Sequence, residues 1–362
     1  MAEILVVGAG LAGLTAAYTC ARRGHRVTVW EQYNHIGGIP YSHPAVDITP
    51  MEPTVLGEVI GMDLGPPQIV PAKTVALYIY GKRYETSGEH LSLQAVERGE
   101  NPYSLDIYLY QKACEEGVKF EFGREINSNS IAELPPYSII ATGLNSELYQ
   151  ALELPSTKVY GYVAKGESDE SPRVIGWFDD YTRDYAYYAS SNGITFGLLF
   201  DRKPMNESVR QRWEKQLWEH EGIKFSSWHP HEGIVPIKTP TNPQFLWKDK
   251  ILAGTFAGMQ DPVMLFGVHG ALLSGKIAAL AVDDKAEAMR LFRRFTSFFK
   301  YSWMVKKTIL DIPPHPVRKN LLRPIIGLWE KYPEKLKFSI NFALGTIPGF
   351  RTLEKYRNLI PD

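Results

Sequence analysis

The sequence predicts an α/β fold in which strands and helices alternate along the chain. Three observations support it. Residues 4–7 form a short apolar run of the kind found in buried parallel strands, and three closely spaced glycines follow. A second apolar strand runs from Arg26 to Trp30 and ends in an acid. The segment 251–282 again reads as strand, loop and long helix, so it is expected to return to the same sheet.

The glycines form a G-x-G-x-x-G turn between the first strand and a helix. Gly8 permits the tight turn, Gly10 leaves room for a pyrophosphate beside the backbone, and Gly13 lets the helix pack closely on the strand. Ala12 lies in the same turn. The helix N-terminus offers free N–H groups to the phosphates. These residues predict a dinucleotide-binding Rossmann-like domain.

The residues after the second strand indicate which dinucleotide binds. Glu31 stands where a carboxylate accepts hydrogen bonds from an adenosine ribose, with Gln32 beside it. The pair Gly37–Gly38 follows soon afterwards. This spacing resembles the E-x5-G-G fingerprint of glutathione-reductase-type flavoproteins. Glycine permits close backbone approach to the second half of a long cofactor, so FAD is favoured over NAD.

Length and composition fit a large α/β protein. The 362 residues carry no net charge, so nothing in the overall charge indicates a nucleic-acid partner. From 285 to 362 there are 16 basic and 6 acidic residues, so this region has a net charge of +10 and residues 1–284 have −10. Two interpretations stay open: the basic region meets an anionic surface such as phospholipid or a phosphorylated substrate, or it docks on the acidic remainder.

Two cysteines without disulfide or metal spacing, no signal peptide and no apolar stretch of ~20 residues predict a cytoplasmic protein without a membrane span. His229 and His231 lack a third ligand nearby, so no metal site is expected. The sequence does not indicate an oligomeric state.

The expected domain organisation is discontinuous. Residues 1–150 and 251–284 form the FAD-binding domain, with an insertion at about 39–100 that has a small sheet. Residues 151–250 form a strand-rich substrate domain, and 285–362 form a helical C-terminal region. A helix is predicted at 206–220, with Trp213, Leu217 and Trp218 as its buried stripe.

Further candidate residues follow from this arrangement. Ala141–Thr142–Gly143 ends a short strand and is expected beside the first glycine turn. An aromatic set in the second domain either lines an apolar substrate tunnel or forms an ordinary core; Trp177, Tyr185 and Tyr187 are its candidate substrate residues.

The order of these blocks resembles the flavoprotein class with the para-hydroxybenzoate hydroxylase fold, and within it the geranylgeranyl reductase family. The resemblance rests on the N-terminal fingerprint, SLDIYLYQKACEEGVKFEFG, ATG at 141–143 and AGTFAGMQDPVMLFGVHGALLSGKIAA. It implies further FAD contacts at Gly254, Thr255, Asp261, Pro262 and Gly267. Where the family has G-D this chain has Gly254–Thr255, and the arginine often found before the helix at 104–116 is absent.

The resemblance implies an FAD-dependent oxidoreductase that reduces or desaturates C=C bonds of an apolar, prenyl-like or lipid substrate. NAD(P)H or ferredoxin would supply electrons transiently, because no second G-x-G-x-x-G exists. Two alternatives stay open: an aromatic monooxygenase of the same fold, and a non-catalytic lipid carrier.

Two histidines are candidate catalytic residues. His43 follows the glycine pair and is a candidate proton donor. His269 precedes a helix expected to point at the flavin, where it would stabilise negative charge or merely cap the helix.

The basic and aromatic run 291–307 is expected either to rest on a bilayer, which would make the protein membrane-associated, or to cap the substrate pocket.

Overall fold

A computed structural model describes residues 1–38, 45–168, 171–297 and 299–332. The strands within these ranges are numbered along the chain. They are β1 Glu3–Val7, β2 Arg26–Glu31, β3 Val46–Pro50, β4 Ile69–Pro71, β5 Thr74–Ile79, β6 Lys82–Ser87, β7 Leu93–Glu97, β8 Lys119–Phe122, β9 Ile139–Ile140, β10 Thr157–Glu167, β11 Arg173–Phe178, β12 Ala186–Ser191, β13 Ile194–Asp201, β14 His229–Val235, β15 Leu246–Trp247 and β16 Lys250–Leu252.

The α-helices of the same ranges are numbered likewise. They are α1 Leu11–Arg22, α2 Pro53–Ile60, α3 Gly88–Leu91, α4 Leu105–Glu115, α5 Ser146–Ala151, α6 Glu207–Glu221, α7 Val268–Asp283, α8 Lys285–Thr296, α9 Phe299–Val305 and α10 His315–Lys331. A π-helical turn, Lys306–Asp311, joins α9 to the segment before α10.

The first sheet has six strands in the order β15-β16-β9-β1-β2-β8. Every pairing in it is parallel except that of β15 with β16. Helices α1 and α7 are buried along most of their length and pack on each other. Their approach needs glycine, because a Cβ at Gly275 would lie 2.4 Å from the carbonyl oxygen of Ala12. This sheet confirms the predicted α/β class with a Rossmann-like half.

The second sheet has seven strands in the order β14-β10-β13-β12-β11-β5-β6. Strands β5 and β6 come from the region expected as an insertion, and β5 pairs parallel to β11. The remainder of that region forms a small antiparallel sheet, β3-β7-β4. The strand-rich region after residue 151 therefore shares its sheet with β5 and β6, which come from the earlier segment 39–100.

Helix α6 covers one face of the second sheet. Asn206 caps it, its side chain accepting a hydrogen bond from the Val209 N–H (3.2 Å). Trp213 and Leu217 are buried against the sheet as predicted, whereas the inclusion of Trp218 was wrong. Its side chain is 60% exposed, because its position turns it away from the buried face.

The C-terminal helices α8 to α10 pack on both halves of the molecule. Leu291, Phe292 and Phe295 of α8 are buried in the core of the first domain. Of the two interpretations of 291–307, the bilayer contact therefore cannot involve these three side chains, since they complete the fold. No helix among the described residues combines the length and apolarity that crossing a bilayer requires.

Candidate functional site

A single cavity of about 970 Å³ runs from the first glycine turn to the second sheet. At one end it is lined by Val7 to Ala12, by residues 30–33 and by the segment Ala141–Glu147. At the other end apolar side chains of the second sheet and of α10 line it. The volume lies in the range of ligand and cofactor sites.

The three glycines of the first turn have different structural roles. Gly8 has φ +99°, and a Cβ there would lie 2.5 Å from the carbonyl oxygen of Ala141. A Cβ at Gly13 would lie 1.9 Å from the carbonyl oxygen of Gly8, so this glycine permits the close packing of helix on strand. A Cβ at Gly10 would meet no described atom within 4 Å and would project into the cavity. Gly10 is thus the glycine that leaves space for a ligand.

Glu31, at the end of β2, organises the same turn. Its Oε2 accepts a hydrogen bond from the Ala9 N–H (2.8 Å), and its Oε1 accepts one from the Tyr33 N–H (3.0 Å). Each carboxylate oxygen has a second lone-pair site for a ribose hydroxyl. Glu31 and the adjacent Gln32 both line the cavity.

Ala141, Thr142 and Gly143 follow β9 and lie beside the first turn. The Ala141 N–H donates to the carbonyl of Val7 (2.8 Å), which fixes the two segments together. Gly143 has φ +65°. The Thr142 hydroxyl is buried at the cavity and has no hydrogen-bond partner among the described residues. A buried polar atom of this kind calls for a partner, and a bound cofactor would supply one.

The loop after β16 contributes Gly254 and Thr255. Gly254 has φ +67°, and its N–H donates to Ser274 Oγ (2.8 Å). The Thr255 carbonyl accepts a hydrogen bond from the Tyr149 hydroxyl. Both residues line the cavity, and the Thr255 side chain stands where the resembling family has a carboxylate.

The pair Gly37–Gly38 lines the cavity, but Gly37 is required for a different contact from the one expected. A Cβ at Gly37 would lie 2.5 Å from the carbonyl carbon of Gly99. Its φ of +109° also disfavours any other residue. The close approach that Gly37 permits is therefore to the loop after β7 as well as to the cavity.

Two helices begin at the cavity. Gly10, Leu11 and Ala12 open α1, and Gly267 and Val268 open α7. The first N–H groups of a helix have no acceptor within the helix itself, so both N-termini favour negatively charged or electron-rich ligand groups. Gly267 is thus at the cavity as expected.

Asp261 and Pro262 do not line this cavity, in contrast to the expectation. Asp261 is buried behind the loop and its Oδ2 accepts a hydrogen bond from the Met264 N–H (2.5 Å). Burial raises the pKa of Asp261 to about 7, although backbone hydrogen bonds and the charge of Lys306 act in the opposite direction. The carboxyl shapes the loop whose residues 263–267 line the cavity.

His269 lies away from the cavity as well. It faces a separate small void together with Asp261 and Gln260, because its position on α7 is turned away from that of Val268 and Ala271. Burial lowers its pKa to about 4, so the imidazole is neutral at pH 7. This placement agrees with the second interpretation, a histidine without a redox role, because a neutral imidazole away from the cavity offers no positive charge to a ligand there. His43 lies outside the described residues.

The apolar half of the cavity is lined by alternate residues of the second sheet. Phe178, Tyr185 and Tyr187 line it, whereas Trp177 does not. Trp177 points to the opposite face and meets Trp213 of α6, because successive strand residues alternate between faces. The remaining lining residues of this half share an apolar character. They are Val75, Leu77, Ile79, Val159, Val163, Val174, Phe196, Leu198 and Phe200.

A charged group in this wall was missed by the sequence analysis. Arg98 donates to Asp106 from Nε (2.8 Å) and Nη2 (3.1 Å), and to Asp47 from Nη1 (2.7 Å). Burial lowers the pKa of Arg98, but the charges of the two carboxylates raise it by more, so it stays charged. Two features of the sequence could have indicated this ion pair: Asp106 lies at the start of α4, and the arginine expected just before that helix is absent. Arg98 comes from β7's end instead.

Tyr185, directly before β12, and Tyr187, within β12, contact different partners. The Tyr185 hydroxyl donates to the Met264 carbonyl. The Tyr187 ring instead contacts Phe196, with the ring centroids 5.8 Å apart, and Tyr185, with the centroids 6.3 Å apart. Burial raises the pKa of both hydroxyls well above 10, so both stay protonated at neutral pH.

Comparison with known proteins agrees with this geometry. Residues 6–53 match the family described as NAD(P)-binding Rossmann-like domain. The 4,4'-diaponeurosporene oxygenase of Staphylococcus aureus strain MRSA252 is 35% identical over 90 residues, which are 25% of this chain and 15% of that protein. The chain thus matches only a small part of the length of its curated relatives.

Solved structures share the fold over nearly the whole chain. A geranylgeranyl bacteriochlorophyll reductase-like protein from Thermoplasma acidophilum has a TM-score of 0.69 at 16% identity, covering 94% of this chain and 98% of that one. The p-nitrophenol 4-monooxygenase PnpA from Pseudomonas putida DLL-E4 has 0.64 at 16% identity, covering 95% and 99%. The myxobacterial halogenase CndH, described as FAD-dependent, has 0.59 at 16% identity, covering 99% and 96%.

These similarities confirm the predicted fold and the predicted cofactor. The glycine turn, the acid at Glu31 and the unpartnered Thr142 hydroxyl fit a long dinucleotide that continues towards Gly267. Residues 6–53 thus match the family of NAD(P)-binding Rossmann-like domains, the chain shares its fold with FAD-dependent proteins such as the halogenase CndH, and the residues that line its cavity fit FAD.

Proposed function

We propose that this protein transfers hydride, by way of FAD, to or from a C=C bond of an apolar, prenyl-like or lipid substrate. The observation that carries the proposal is the continuous cavity, which leads from the FAD site into a chamber walled by apolar side chains. An apolar chain would gain burial there, and few polar groups would be left unpaired by it.

The chain's own residues would supply the surroundings of the reaction. Bound FAD supplies the hydride chemistry. The wall made by Phe178, Phe196 and Leu198 excludes water from the chamber. The loop 263–267 lines the cavity as well, and the Tyr185 hydroxyl holds this loop by donating a hydrogen bond to the Met264 carbonyl.

Tyr187 is our candidate for the proton that accompanies a hydride. Reduction of a C=C bond adds one hydride and one proton. The Tyr187 O–H bond would break as the second C–H bond forms, and the tyrosinate would regain a proton from water. Tyr187 lines the cavity, and burial together with the charge of Asp47 raises the pKa of its hydroxyl well above 10, so the hydroxyl carries a proton at neutral pH. The charge of Arg98 acts in the opposite direction and offsets part of this effect.

The comparisons support this substrate class and also a second candidate. One structural neighbour is named as geranylgeranyl bacteriochlorophyll reductase-like. Others are a p-nitrophenol monooxygenase and, in sequence, a 4,4'-diaponeurosporene oxygenase, so oxygenation of an apolar substrate is the alternative. A lipid carrier without turnover is the third reading of the same cavity.

Purified protein distinguishes these candidates. Small molecules released by denaturation are identified by mass spectrometry, and the remaining protein is reduced with NADPH or dithionite under anaerobic conditions. Flavin bleaching, an apolar ligand in the extract and no substrate-dependent oxygen consumption support the hydride transfer. Stoichiometric oxygen consumption with an apolar substrate would favour the oxygenase. A flavin that cannot be reduced by any donor would favour the carrier.

A variant with a larger side chain in the chamber tests where the substrate binds. Leu198 lines the chamber from β13, so Leu198→Trp should remove the co-purified apolar ligand and leave FAD content unchanged. Val209→Trp on α6, across the sheet, is the matched control and should retain both. Retention of the ligand by Leu198→Trp would contradict the assignment of this chamber.

A further inference from the structure

Helix α10 has an apolar face that the rest of the described chain does not cover. Val317, Leu321, Ile325 and Leu328 follow one another at intervals of four, four and three residues, so they lie on one side of the helix. Their exposed fractions are 46%, 41%, 37% and 50%. We call these four residues the α10 stripe. A contiguous exposed apolar surface of this kind marks an interaction site.

The segment before α10 exposes further apolar side chains. Tyr301 and Met304 of α9 and Ile312 after the π-helical turn are exposed by 59%, 47% and 71%. Together with the stripe they make up more than half of the large apolar side chains that are exposed in the described ranges. The exposure is therefore concentrated in one part of the molecule.

The α10 stripe adjoins the substrate chamber. Leu322, Ile326 and Trp329, on the neighbouring side of the helix, line the chamber wall. Ile325 belongs to both surfaces, since it lines the chamber and is also 37% exposed. An apolar molecule could pass from the stripe to the chamber at Ile325 without crossing water.

The net charge of the C-terminal region that carries the stripe indicates the kind of partner. Residues 285–332 include 11 Lys and Arg against 3 Asp and Glu, whereas residues 1–284 have a net charge of −10. Arg293, Arg294, Lys300 and Lys331 are exposed. An anionic bilayer attracts such a surface, while a second copy of the chain would bring like charges together.

We propose that the α10 stripe docks on an anionic phospholipid bilayer and that apolar substrate passes from the bilayer into the chamber beside Ile325. The substrate step rests on the proposed function, and the docking step does not. The surface differs from the one suggested by the sequence, because Leu291, Phe292 and Phe295 of α8 are buried whereas the aliphatic side chains of the α10 stripe are exposed.

Sedimentation of the full chain with lipid vesicles tests the docking. The wild type should bind mixed phosphatidylcholine–phosphatidylglycerol vesicles, bind pure phosphatidylcholine at least tenfold less, and be released by high salt. The double variant Leu321→Asp, Leu328→Asp should lose at least tenfold in bound fraction. Trp218→Asp changes an even more exposed apolar side chain (60%) on the opposite face of the second sheet, and this variant should bind as the wild type does.

Flavin absorbance and the thermal midpoint of each variant show that it is folded. Equal binding by the double variant, or a wild type that ignores anionic vesicles, would overturn the docking proposal and leave the FAD function standing. A wild type that is dimeric by light scattering, with the double variant monomeric, would assign the stripe to self-association instead. Vesicle binding without any apolar ligand or redox activity would retain the docking and count against the proposed function.

Discussion

The carboxylate of Glu31 accepts a hydrogen bond from the backbone N–H of Ala9 at 2.8 Å. The acid at the end of the second strand therefore holds the middle of the glycine turn in place before any cofactor arrives. Its other oxygen bonds to the Tyr33 N–H, so one side chain links the turn to the segment that follows β2. Glu31 has both an organising and a ligand-binding role.

Removing that carboxylate should weaken cofactor binding through the turn as well as through the ribose. Glu31→Ala leaves the buried Ala9 N–H without its acceptor, which costs about 1–3 kcal/mol. We expect a lower thermal midpoint and at least a tenfold weaker Kd for FAD. Glu31→Gln keeps one acceptor oxygen, so its Kd for FAD, measured by titration, should lie between those of the wild type and Glu31→Ala. Identical affinity of Glu31→Ala and wild type would refute the assignment.

The glycines at positions 10 and 13 should separate binding from folding. Gly10→Val places a side chain in open cavity space at an ordinary backbone conformation (φ −84°), so the apoprotein should keep its stability. FAD affinity should fall at least 100-fold, about 2.7 kcal/mol. Gly13→Val should instead lower stability, because its side chain would collide with Gly8. Calorimetry of the apoproteins and FAD titration check both; a stable Gly13→Val variant would contradict the packing role.

The proposed proton donor has a conservative test. Tyr187→Phe keeps the ring in the chamber wall and removes only the hydroxyl. Turnover of an apolar C=C substrate should fall about 10²–10⁴-fold, with KM and FAD content little changed. Tyr185→Phe is the control. The Tyr185 hydroxyl holds the loop by its hydrogen bond to the Met264 carbonyl, so its removal should change the rate of flavin reduction by no larger a factor than it changes KM. Unchanged turnover in Tyr187→Phe would remove it from the mechanism.

Asp261 predicts a pH dependence of stability. Burial raises its pKa from 3.8 to about 7 in the folded chain. The folded state then binds more protons than the unfolded state between these values, so stability falls as pH rises through this range, by at most about 1.4 kcal/mol per pH unit. Asp261→Asn keeps an acceptor for the Met264 N–H and removes the titration. Urea unfolding at pH 5 and pH 8 should show that the free energy of unfolding falls less between these pH values for the variant than for the wild type. Equal decreases would contradict the raised pKa.

A buried ion pair attaches the C-terminal region to the second sheet. Lys306 donates to Asp184, both side chains being 1% exposed, and Arg202 joins Asp184 (3.1 Å) to Asp311. Lys306→Met should destabilise by about 3 kcal/mol. The double variant Lys306→Met, Asp184→Asn should be less destabilised than the sum of the single variants. Strictly additive effects in urea unfolding would show that the pair is not coupled.

The sequence predicted the first half of the molecule better than the second because its signals there are local. A glycine turn, an acid and an apolar strand fix their own geometry at short range, so Gly8, Gly10 and Glu31 lie at the cavity. Trp177 could not be placed in this way. Strand periodicity shows that Trp177 and Phe178 face opposite sides, but only tertiary packing decides which side carries the chamber.

The residues that were misplaced or missed depend on long-range contacts. His269 was assigned from its place at the start of a predicted helix and Asp261 from the family resemblance, whereas the rotation of α7 and the path of the loop decide what these two residues face. Arg98 lies in a segment without a recognised motif, and its partners Asp47 and Asp106 come from different elements. The α10 stripe could be seen as a pattern only once the helix was known to begin at His315.

Reconstitution with FAD tests the central claim most directly. The purified chain is unfolded to release small molecules, refolded or stripped, and incubated with excess FAD before gel filtration. We expect about one FAD per chain with a flavin absorbance spectrum, and a Gly10→Val variant that elutes without it. A wild-type chain that elutes colourless after this treatment, although folded, would contradict the claim that the glycine turn binds FAD.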